Sequence, residues 1–147
     1  MGTAAQIRSR RIRAGKSQNE VAQHLGLETV YYEDLEHQDD ELISTLTLFQ
    51  AMELASILDV GVHDLLSDRT RPDRRIALAD LPARINAYVA REGLSIEQLE
   101  DELSWELRDF LRSPLKEADR LPIMFFQAIA ARIGIDWLSL IPAEHPV

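Results

Sequence analysis

The residues best suited by type and spacing to recognise a ligand lie near the N-terminus, where SQNEVAQHLG (17–26) opens on Ser17 and Glu20. A serine followed three positions later by a glutamate is a capping box, whose hydroxyl and carboxylate satisfy the first N–H groups of a helix. The N–H groups left free at such an end, reinforced by the helix dipole, suit an anion and above all a phosphate. Five cations stand just before it: Arg8, Arg10, Arg11, Arg13 and Lys16. They form either a phosphate-facing edge or a solvated face. No rival chemistry stands out. His24, His37, His63 and His145 have no metal-ligand spacing, and the chain has no cysteine. There is no glycine-rich phosphate loop, no Ser/His/Asp arrangement and no carboxylate pair in an evident cleft. An enzyme is therefore not expected, and neither is a metal or an organic cofactor.

The elements that must position these residues read as helices. The chain has 147 residues, 46% of them hydrophobic and 28% charged, which suits a packed domain or two small ones. Apolar residues recur at helical spacing, as in Val21, Ala22 and Leu25, or Leu48, Met52, Ala55 and Leu58. No apolar run approaches the roughly 18 residues that span a bilayer. The N-terminal MGTAAQIRSRR lacks the apolar stretch of a signal peptide, so a soluble, cytoplasmic protein with no membrane partner is expected. The net charge of −9 weighs against a nucleic-acid partner. Six basic and twelve acidic residues precede position 71, ten and thirteen follow it, and the acids crowd between Glu33 and Glu41.

SDRTRPDRR (67–75) has linker composition and divides two related halves. IRSRRIRAGKSQNEVAQHLG from Ile7 matches INAYVAREGLSIEQLEDELS from Ile85 at a constant shift. Gly15 meets Gly93, Ser17 meets Ser95, Val21 meets Leu99 and Tyr32 meets Phe110. Three residues are then lost in a loop, and ASILDVGVHDLL lies over AARIGIDWLSLI. Each copy carries a glycine that can take positive φ and close a first helix, then a second helix with a capping box, Ser17 with Glu20 or Ser95 with Gln98. In the first copy a third helix follows the Leu25-Gly26-Leu27 turn with Tyr32 in its core. A fourth helix (about 47–58) and a short fifth (about 62–67) close the domain.

IRSRRIRAGKSQNEVAQHLGLETVYYEDLEHQDD resembles the helix-turn-helix of the Xre family, the class of phage repressors and Cro proteins, over residues 5–67. The second copy, residues 81–143, resembles it in a more degenerate form. The resemblance implies an all-α fold of tandem five-helix, lambda-repressor-like domains. The first domain spans residues 1–68, a linker 69–80 and the second domain 81–147. It implies that the third helix of the first copy enters the major groove of double-stranded DNA. Ser17, Gln18 and Asn19 would then face phosphate and a base edge, and Arg8 and Arg10 the backbone. Glu28, Thr29, Val30, Tyr31, Glu33 and Asp34 would form the exposed reading face. Beyond exposure, Gln18 has no evident structural need to be polar. Arg11 and Glu36 match a family ion pair tying the first helix to the end of the third.

The departures are specific. The reading face carries Val30, Glu33 and Asp34 rather than cations, and HQDDE (37–41) brings Asp39 and Asp40 where a basic segment would help. In the second copy Gln18 becomes Ile96, Arg11 becomes Val89 and Glu36 becomes Pro114, while Arg108 and Arg112 could touch phosphate or, equally well placed, pair with Glu106 or Asp109. Phe125, Phe126, Ile129, Ile133, Trp137 and Leu140 form a bulky apolar set. Neighbours on a helix differ by about 100°, so Phe125 and Phe126 are expected not to face inward together. The outward one would pack the copies together or build a homodimer. The expected function is a sequence-specific DNA-binding transcriptional regulator, a repressor. The alternative is a non-enzymatic interaction module, antitoxin-like or anti-repressor-like, whose acidic face binds a protein partner.

Overall fold

The computed structural model describes residues 2–66 and 74–142, and among them every regular element is helical. None of these helices is long and apolar enough to cross a membrane. The chain divides into two compact units, residues 1–70 and 71–147.

The first unit holds α1 (Thr3–Arg13), α2 (Gln18–Leu25), α3 (Thr29–Leu35), α4 (Glu41–Thr45), α5 (Leu48–Ile57) and α6 (Val62–Leu66). Its core is built from Ile7, Val21, Ala22, Leu25, Tyr32, Leu35, Leu46, Leu48, Ala51 and Leu54, all buried. Both expected capping boxes form, and Thr47 with Gln50 makes a third at the start of α5. The Gln50 amide also donates to the Leu25 carbonyl at 2.9 Å, fastening α5 to the end of α2.

The segment read as a loop, HQDDE, runs into α4, so this unit has six helices among its described residues rather than five. Asp39 has a structural task as well: its Oδ1 accepts the Ala4 N–H at 3.0 Å. Gly2, the N-cap of α1, has no side chain to do this, so a carboxylate 35 positions away supplies the cap. Its negative charge faces the positive end of the α1 dipole. A Cβ at Gly2 would press against that carboxylate, which would have to shift. Asp39→Ala should cost about 1 kcal/mol of stability, the usual value of a lost cap, measurable by urea denaturation.

The second unit holds a 3-10 turn (Leu78–Asp80), α7 (Leu81–Glu92), α8 (Ile96–Leu103), α9 (Arg108–Arg112), α10 (Pro114–Ala118), α11 (Ile123–Ile133) and a closing 3-10 turn (Trp137–Leu140). Of the expected linker, Arg69 and Arg71 lie outside the described residues, and Arg74 and Arg75 are exposed. Its later part is anchored: the Ile76 N–H donates to the Ser139 carbonyl at 2.9 Å, and Leu78 is buried.

The expectation that Phe125 and Phe126 cannot both face inward is wrong, because both are fully buried. The buried side of α11 comprises Ile123, Phe125, Phe126, Ile129 and Ala130. At about 100° per residue these span an arc of roughly 160°, wide enough for two neighbours. The rings meet each other edge-on at 5.1 Å, and Phe110 meets them at 5.3 and 5.8 Å. Trp105 closes the cluster against Phe125 at 5.4 Å. Ile129 and Leu140 are also buried, while Ile133 and Trp137 are half-buried. The large apolar side chains that this unit exposes are Leu115 and Met124 instead.

Six described residues adopt left-handed backbone: Gly15, Gly26 and Asp59 in the first unit, and Gly93, Ser104 and Gly134 in the second. They fall into three pairs at the spacings of the sequence repeat, including the three-residue loss before the last pair. Ser104 holds φ of 59° without being glycine, at a cost of roughly 1–2 kcal/mol that the surrounding turn must offset.

Candidate nucleic-acid interface

The candidate site is built on α2 and α3 of the first unit. The Ser17 hydroxyl accepts the Glu20 N–H at 3.1 Å, and the Glu20 carboxylate accepts the Ser17 N–H at 3.2 Å. That backbone hydrogen bond to Ser17 holds the Glu20 carboxyl below its ordinary value. Ser17 and Asn19 are exposed. The Asn19 Oδ1 accepts the Thr29 hydroxyl at 2.9 Å, a bridge between the first turns of α2 and α3 that the sequence reading did not anticipate.

Glu36, just beyond α3, joins three helices. The Arg11 guanidinium, on α1, donates from Nε to Oε2 at 2.6 Å and from NH2 to Oε1 at 3.1 Å. The Gln18 amide, on α2, donates to Oε1 at 3.2 Å. Arg11 also reaches the Lys16 carbonyl at 2.9 Å, bracing the turn between α1 and α2. The Glu36 side chain is fully buried and that of Arg11 is 13% exposed. Burial alone would raise the Glu36 carboxyl, but the hydrogen bond from Arg11, with the Tyr32 hydroxyl and the Gln18 amide beside it, outweighs burial and holds the group below its ordinary value. The contact with Glu36 raises Arg11 in turn. The Tyr32 phenol is pushed well above its ordinary value by burial, with the Glu36 charge beside it.

The expected Arg11–Glu36 pair is thus present, and Gln18 needs a correction. It is half-buried and bonded to Glu36, so its polarity has a structural use. The signal existed only in three dimensions, because Gln18 and Glu36 are 18 positions apart.

On α3, Tyr32 and Leu35 are buried, whereas Val30 is 56% and Tyr31 55% exposed. Thr29, Glu33 and Asp34 are half-buried and Glu28 is exposed. At about 100° per residue, Val30 and Asp34 lie on the side of the helix away from Tyr32, one turn apart, with Val30 the more exposed. Arg8 is exposed and Arg10 half-buried on α1. Arg8 also lines a shallow groove of about 380 Å³ with Ala5, Ser9, Ile12 and Glu36, another feature with no sequence signal.

In the second unit, Arg112 pairs with Asp109 at 2.6 Å, whereas Arg108 reaches Glu97 on α8 at 4.0 Å rather than Glu106 or Asp109. Both pairs are largely exposed and contribute little. His24 and His37 are exposed and His63 is half-buried, and His145 lies outside the described residues. No group of three or more His, Asp or Glu side chains among the described residues is arranged to hold a metal. Comparison with known proteins gives no matching family model, no matching curated protein and no matching solved structure.

Proposed function

We propose that the first unit is an Xre-type helix-turn-helix domain that binds double-stranded DNA, and that the chain is a sequence-specific transcriptional regulator, a repressor. The observation that carries this reading is the Glu36 junction. It locks α1, α2 and the end of α3 to one another and leaves the Val30–Asp34 side of α3 facing outward. A reading helix needs such support, since a loose one forfeits the entropy advantage of a preformed surface. The exposed cations of α1 supply candidate phosphate contacts. On this reading the second unit is a degenerate copy, supported by the paired left-handed residues and matching capping boxes. It serves packing or homodimerisation in the cytoplasm.

One observation favours a second reading. The outward side of α3 presents Val30 and Tyr31 among Glu28, Glu33 and Asp34, and TVYYEDL contains no cation. An apolar centre with an acidic rim also suits a basic protein partner.

Salt dependence separates the two. The full chain should bind the DNA upstream of its own gene more tightly than random duplex, with affinity falling steeply as salt rises. Arg8→Ala combined with Arg10→Ala should weaken binding to both and reduce the slope of log K against log salt by about 2, close to 0.9 per lost phosphate contact. Absence of binding even at low salt would sink the regulator reading and favour the acidic interaction surface.

A further inference from the structure

Building on the DNA-binding reading, we propose that α3 reads base edges that offer an amino group, cytosine N4 or adenine N6, about two base pairs from a thymine methyl, and rejects guanine where it faces the groove. The polar side chains of that surface divide into donors and acceptors. A carboxylate only accepts hydrogen bonds, so the end of the Gln18 amide that faces Glu36 must be its nitrogen. What remains of that amide is an acceptor oxygen and a second N–H. The Thr29 hydroxyl proton is given to Asn19. Glu28, Glu33 and Asp34 offer only acceptors when ionised. On α3 and its N-cap the Tyr31 hydroxyl is the outward side-chain donor that remains, against three carboxylates that accept, Glu28, Glu33 and Asp34.

Guanine presents N7 and O6 to the major groove, both acceptors, whereas cytosine and adenine each present an amino donor. An acceptor facing an acceptor leaves two desolvated groups unsatisfied, so the surface discriminates by exclusion as much as by attraction. The side of α3 away from Tyr32 then sets the spacing. Val30 has no polar atom and is more than half exposed, which fits the thymine methyl. Asp34 lies about 6 Å further along the helix axis, close to two base steps of about 3.4 Å. The amino group it accepts from therefore belongs about two base pairs from the thymine.

Binding-site selection with the full chain, from a randomised duplex pool at low salt, tests this. The selected sites should carry a thymine with cytosine or adenine about two positions away and be depleted of guanine there. Inverting that C·G pair to G·C should weaken binding roughly tenfold or more. Asp34→Ala should erase that preference, bringing binding to the C·G site down to that of the inverted G·C site. A guanine-centred site, or a preference that survives Asp34→Ala, overturns the proposal and leaves DNA binding intact. Tight binding with no base preference does the same. No binding to any duplex overturns both readings together.

Discussion

Glu36→Ala is expected to destabilise the first unit by about 3–5 kcal/mol, the range for removing one partner of a buried ion pair. Three donors converge on that carboxylate, two from Arg11 and one from Gln18, and truncation leaves them facing a cavity. The stranded Arg11 charge is the larger part of the loss, because its guanidinium is 13% exposed and cannot easily rehydrate. Replacing both partners, Arg11→Leu with Glu36→Leu, should recover most of it, since apolar substitutes for a buried pair are often neutral. The second copy has Val89, Ile96 and Pro114 at the positions matching Arg11, Gln18 and Glu36. Urea denaturation followed by circular dichroism measures the effect. Trp105 and Trp137 both lie in the second unit, so their fluorescence serves as an internal reference.

The same carboxylate sets an acid limit. Its folded value is depressed, so its contribution is complete above the ordinary carboxylate value of 4.5 and fades as pH falls through the lower folded value. The wild-type chain should therefore lose stability below about pH 4.5, and the double leucine variant should lose less. A single Glu36→Ala cost under about 1 kcal/mol would show that the pair behaves as a surface contact.

Phe125→Ala and Phe126→Ala should each cost the second unit about 3–5 kcal/mol, with neither of them silent. Each removes a fully buried ring from a set of edge-on contacts at 5.1–5.8 Å. Had one ring faced outward to a partner, its replacement would spare folding and weaken association. Tryptophan fluorescence during urea denaturation reads this directly, because Trp105 packs edge-on against Phe125. Because the rings share Phe110, the double variant should cost less than the two single losses added together. If either single variant unfolds like the wild type while oligomeric state changes, the burial of that ring is refuted.

What was legible in the sequence is what local physics decides. Capping boxes need partners three residues apart, and left-handed turns need only a tolerant residue. Ser17 with Glu20, Ser95 with Gln98, Gly15 and Gly93 therefore announce helix ends by themselves. The shared spacing of those signals made the repeat visible, and the alternation of buried Tyr32 with exposed Tyr31 followed from helical periodicity. The Arg11–Glu36 pair was legible in a different way, through family resemblance.

Tertiary structure decided the rest. The capping of α1 by Asp39 and the bond between Gln18 and Glu36 join residues 35 and 18 positions apart, and no spacing rule reaches that far. Whether Phe125 and Phe126 could both turn inward depended on how wide an arc of α11 its neighbours cover, which periodicity leaves open. The serine and glutamate of the opening motif thus prove to be a helix start whatever they meet. The electrostatic character of the surface beside them was set by the fold, because the fold decides which polar atoms are already bonded and which remain to be offered.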